Sequence, residues 1–93
     1  MSQGAKISVN TIDGTTFEVT VKSATTTTHR VILTTSYYEK LTNKLVTPET
    51  LVEQSFKFLL ERESNTSILQ NFELSLIGRY FPEYEETIWH MLK

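Results

Sequence analysis

The 93 residues are enough for one hydrophobic core and too few for two, since typical domains run to about 100 to 150 residues, so a single domain over 1–93 is expected. Apolar residues at 39% and aromatics at 11% exclude a disordered chain, and the lack of cysteine excludes disulfides and thiolate zinc sites. The net charge of -2 is spread unevenly: Lys6, Lys22, Arg30, Lys40 and Lys44 outnumber the acids before residue 48, whereas Glu49, Glu53, Glu61, Glu63, Glu73, Glu83, Glu85 and Glu86 dominate after it.

The opening MSQGAKISVN has no apolar signal segment, and nowhere do about 18 apolar residues run together, so a cytoplasmic protein with no membrane partner is expected. Strand periodicity follows. Residues 6–11 alternate about Ile7 and Val9, residues 16–22 place Phe17, Val19 and Val21 on one face, and residues 28–34 do the same with His29, Val31 and Leu33. The run Thr25 to Thr28 reads either as the start of the third strand or as a short polar connection.

Asp13-Gly14 would ordinarily signal a two-residue hairpin loop, but that loop would set Val9 opposite Glu18 and split the apolar sets between two faces. A three-residue loop, Ile12-Asp13-Gly14, restores parity. It sets Val9 opposite Phe17 and Ile7 opposite Val19, with Gly14 in the left-handed conformation.

Past Ser36 the periodicity becomes helical. A short helix over 37–42 follows a serine or threonine cap, and Thr47-Pro48-Glu49 supplies cap, first-turn proline and dipole-matched carboxylate for a helix over 48–63. On that helix Leu51, Val52, Ser55, Phe56, Phe58, Leu59 and Leu60 cover about 200° of circumference, which demands cover on more than one side. After the polar break 63–67, whose Asn65-Thr66-Ser67 fits the glycosylation pattern by chance in a cytoplasmic protein, the chain reads as a helix over 72–80 capped by Asn71, although Phe72, Leu74 and Leu76 also alternate as in a strand. Pro82 ends that element and opens a helix over 82–92, with Tyr84, Ile88, Met91 and Leu92 on one stripe and Trp89 off it. The fold class implied is α+β: a three-stranded antiparallel meander followed by three or four helices packed on one face.

Chemistry-bearing motifs are absent. His29 lies on an inward strand face and His90 on the polar side of the last helix, neither at metal-ligand spacing; with glycine only at 4, 14 and 78 there is no phosphate-cradling loop. Glu83, Glu85 and Glu86 read as charges complementing a helix start rather than as an acid and base pair. No catalytic residue, metal or cofactor is expected.

Two resemblances bear on function. RVILTTSYYEKLTNKLVTPETLVEQSFKFLLERE, Arg30 to Glu63, resembles a ribbon-helix-helix module, although the linker Thr42 to Thr47 has no glycine. That resemblance implies a strand paired with its copy across a dimer, with Thr28, Arg30 and Ile32 facing DNA. VTPETLVEQSFKFLLERE and SNTSILQNFELSLIGRYFPEYEETI together are similar to a group of short bacterial proteins of unknown function in which an RYFPEY-like segment follows the long helix; that implies a bacterial protein and no particular activity.

The reading that emerges is a non-enzymatic protein-interaction module, either a homodimer or the binder of an unidentified protein, with Phe58, Tyr80 and Trp89 as candidate interface residues. The alternative is a DNA-binding regulator or antitoxin of ribbon-helix-helix type, with Arg30 and Arg79 as candidate anion or DNA contacts. An enzyme ranks third.

Overall fold

The computed structural model describes residues 5–92. Strands β1 (Lys6–Thr11), β2 (Thr16–Lys22) and β3 (Thr26–Ile32) are followed by helices α1 (Thr35–Thr42) and α2 (Pro48–Leu60). A 3₁₀ turn at Asn65–Ser67, strand β4 (Asn71–Glu73), a second 3₁₀ turn at Leu74–Leu76, and helices α3 (Ile77–Tyr80) and α4 (Tyr84–Leu92) complete the described chain. The class is α+β, but the sheet has four strands in the order β1-β2-β3-β4, and β4 runs parallel to β3. Among the described residues no helix is long and apolar enough to cross a membrane.

The β1–β2 hairpin corrects the expected loop while keeping its parity. Ile7 pairs with Val21 and Val9 with Val19, two residues further along β2 than expected. A two-residue slip preserves the shared apolar face, which is why the alternation alone could not distinguish the registers. The turn is Asp13-Gly14-Thr15, closed by Ile12 N–H donating to Thr16 O at 2.8 Å. Asp13 Oδ1 accepts the backbone N–H groups of both Thr15 and Thr16 at 2.9 Å, so the side chain builds the turn and Gly14 keeps a negative φ.

Strand β3 begins two residues earlier than expected, with Thr26 to Thr28 of the threonine run as strand and Thr25 outside it, and ends at Ile32. His29, Val31 and Leu33 point inward and are buried, as the alternation requires. The largest departure is the expected helix over 72–80. Its first residues instead form β4, because β3 would otherwise present an unpaired edge beside the core: Arg30 N–H donates to Gln70 O at 2.6 Å, and Val31 lies beside Phe72. That pairing is non-local and outweighs helical propensity; only 77–80 becomes α-helix.

Helix α2 starts where Thr47 Oγ1 accepts Thr50 N–H at 3.2 Å and ends at Leu60, three residues short of expectation. Its wide apolar arc is covered within the chain. Phe56 faces the sheet, 5.4 Å from the His29 ring and 6.1 Å from Phe72. Phe58, on another side, meets Phe81 at 5.8 Å and Tyr84 at 5.2 Å, both edge-on. Each large side chain so buried contributes about 1.5–3 kcal/mol before entropy is subtracted.

Between α1 and α2, Asn43 (φ 53°) and Lys44 (φ 62°) both take the left-handed conformation. Asparagine tolerates it, whereas lysine pays about 1–2 kcal/mol for its Cβ. The Lys44–Glu39 ion pair, 3.3 Å and largely exposed, offsets little of this. Replacing Lys44 by glycine is therefore expected to stabilise the protein by about 0.5–1 kcal/mol, read from the midpoint of urea unfolding.

Candidate binding groove

The chain from 63 to 84 crosses the molecule between two anchors. At the sheet end, Asn65 is buried and its Nδ2 donates to Thr25 O (2.9 Å) and Thr27 Oγ1 (3.0 Å). Thr27 Oγ1 lies 2.9 Å from His29 Nε2, and His29 Nδ1 lies 2.8 Å from Leu69 O. A carbonyl only accepts, so Nδ1 carries the proton; Nε2 of the neutral ring is then the acceptor for the threonine hydroxyl. Both ring nitrogens are thereby occupied in holding 65–69 against the sheet, and His29 is a core histidine. Asn65 spends its amide inside the protein, so the glycosylation pattern is closed to modification in the folded state.

At the other end lies RYFPEYEE, in which Phe81, Glu83, Tyr84 and Glu85 have structural tasks. Phe81 packs on Phe58. Tyr84 is buried and sits 2.6 Å from Ser55 Oγ, which in turn lies 2.7 Å from Leu51 O. Because Leu51 O only accepts, Ser55 donates to it and Tyr84 donates to Ser55. Burial holds the Tyr84 phenol neutral, its pKa raised. Glu85 accepts from the Tyr37 hydroxyl at 2.9 Å, tying α4 to α1; burial likewise pushes Tyr37 upward. Glu83 accepts from Arg62 Nε at 3.1 Å, while the Arg62 guanidinium lies 3.6 Å from the centre of the Phe58 ring.

Between the two anchors the chain and the C-terminal end of α2 line a groove of about 400 Å³. Leu59 and Glu63 form one wall; Ser67, Ile68, Leu69, Phe72, Leu76, Ile77, Tyr80 and Phe81 form the rest. Leu69 and Tyr80 are 47% and 66% exposed, which leaves apolar surface open at its margin. Glu63 is the one charged residue in the lining.

The sequence-derived candidates separate on this geometry. Tyr80 lines the groove, and Trp89 is half-buried on α4. Phe58 is not an interface residue: its exposure is 0%, because α2 turns it onto Phe81, Tyr84 and Arg62. Arg30 stands on the outer face of the sheet, 3.7 Å from its cross-strand partner Glu18. Arg79 is exposed on α3, and the nearby Glu83 is held by Arg62. Glu63, Leu69, Phe72 and Leu76 were not singled out in advance. The available signal was the density of apolar residues from Ile68 to Phe81, more than one buried face of a short element accommodates.

Comparison with known proteins yields no family: no family model matches the chain, and no curated protein or solved structure matches it significantly.

Two predictions follow from the anchors. Tyr84→Phe removes a donor yet leaves Ser55 bonded to Leu51 O, and is expected to cost about 1 kcal/mol; Ser55→Ala strands the buried Tyr84 hydroxyl and is expected to cost more, about 1–3 kcal/mol, both read by urea unfolding. The second concerns acid. Glu83 is held below its ordinary value of 4.5 by its own backbone N–H and then by Arg62, and Glu49 by the Thr11 hydroxyl and then its own N–H. A depressed carboxylate stabilises the fold fully above its ordinary value and loses that contribution as pH falls through the folded value. Thermal midpoints measured from pH 7 downward should therefore fall below about pH 4.5, and the double variant Glu49→Gln, Glu83→Gln should start lower and fall less steeply.

Proposed function

We propose that this chain is a small non-enzymatic cytoplasmic protein that acts by binding another protein, and that the groove between α2 and residues 67–81 is its docking face. The observation that carries this reading is the open apolar lining itself. In a protein that buries Phe58 and Tyr84 completely, Leu69 and Tyr80 remain about half or more exposed beside a groove of about 400 Å³.

The other sequence-based readings receive less support. The apolar width of α2 first suggested a dimer, but the sheet and α4 already cover it. β3 lies between β2 and β4, so neither edge is free for the cross-dimer pairing that the ribbon-helix-helix resemblance implies. Arg30, the one arginine on that strand, is partly neutralised by Glu18.

Selection of displayed random peptides on the full chain tests the reading. Enriched peptides should shift the methyl resonances of Leu69, Leu76 and Ile77, and Leu69→Glu with Tyr80→Glu, both at exposed positions, should abolish their binding without lowering the thermal midpoint appreciably. Enriched peptides that bind elsewhere, or no enrichment at all, would overturn it.

A further inference from the structure

We infer that the occupant of the groove is an extended peptide segment of a partner protein, added as a fifth strand along the free edge of β4, with one large apolar side chain in the groove and a lysine or arginine two residues away facing Glu63. This rests on the groove being a docking face and adds the form and chemistry of what docks.

Three observations converge. The sheet order places β4 at an edge, with β3 on one side of it and, among the described residues, no strand on the other. Arg30 N–H bonds to Gln70 O, which fixes the alternation: the main-chain groups of Gln70 and Phe72 turn toward β3, and the N–H and C=O of Asn71 turn toward the free edge. A strand laid there finds unpaired backbone groups beside it.

The side chains then match. Phe72 lies beside Val31 in register, on the core face of the sheet, and Phe72 also lines the groove. The lining comes from α2 and the chain between 63 and 81, with nothing from β1, β2 or β3 among the described residues, so the groove sits beyond β3 at the β4 edge. Every second side chain of an added strand would share the face of Phe72 and enter the groove. The lining there is apolar apart from Glu63 and Ser67, and Glu63 is half-buried with no basic partner among the described ion pairs. Charge complementarity therefore selects a cationic side chain over an anionic one, and the two-residue strand period puts it on the same face as the apolar anchor.

The test uses the full chain and a blocked heptapeptide of threonines with leucine third and lysine fifth, titrated at low salt and followed by backbone amide and methyl shifts. The expected result is binding that perturbs the Asn71 amide together with the Leu69 and Leu76 methyls. Replacing the peptide's lysine with glutamate should weaken it by about tenfold, and Glu63→Gln by roughly three- to fivefold, the latter being about what a partly exposed ion pair supplies. N-methylating alternate backbone amides of the peptide should abolish binding if the strand is added.

Each other result speaks against the inference. If the N-methylated peptide binds as well as its parent, strand addition is wrong while the groove remains a docking face. If shifts fall outside the groove, both readings fail. If no peptide of the series binds at millimolar concentration, the inferred occupant is wrong. If sedimentation instead shows a dimer that Leu69→Glu dissolves, the occupant is a second copy of this chain.

Discussion

The packing of α2 governs most of what surrounds it. More than half of its circumference is apolar, so a single covering layer would leave either Phe56 or Phe58 in water. The sheet takes Phe56, and the chain beyond residue 80 must return to take Phe58. That requirement explains why residues 63–84 cross the molecule, why Phe81 and Tyr84 lie where they do, and why Arg62 is drawn over the Phe58 ring while holding Glu83.

The crossing segment is fastened by side-chain hydrogen bonds at its ends and by the β3–β4 backbone pairing between them. Asn65, Thr27 and His29 form one fastening, and Ser55 with Tyr84 and Arg62 with Glu83 form the other. Hydrogen bonds are directional, and those of Asn65, His29, Ser55 and Tyr84 are also largely desolvated, so they set where the chain must be. Past β4 the segment turns its apolar side chains toward α2. The groove is the space left beside that path, and its apolar character is inherited from residues that are half core and half surface.

The outer face of the sheet, by contrast, is left exposed by the described residues. Ser8, Asn10, Thr28 and Arg30 are exposed there, and their polarity makes cover unnecessary. The molecule therefore has a mainly polar outer sheet face, interrupted by the exposed Ile32, and an apolar groove at its β4 edge.

Much of the fold could be read from the chain, for an identifiable reason. Period-two alternation located β1, β2 and the inward set His29, Val31 and Leu33; Thr47-Pro48-Glu49 located the start of α2; and Pro82 located the break before α4. These signals are local, and burial on one face is what produces them. The hairpin register, β4 and the fate of Phe58 lay beyond such signals. A slip of two residues leaves side-chain parity unchanged, so the side-chain bonds of Asp13 decided it. Phe72 fits helix or strand alone, and the open edge of β3, about 40 residues earlier, chose strand. Apolar width on α2 told that Phe58 needed cover but not whether the cover would come from this chain or another; the return of Phe81 and Tyr84 supplied it from within. The groove belongs mostly to this second category: the apolar density of 68–81 marked a surplus of apolar surface, but a cavity is a property of how distant segments fail to meet.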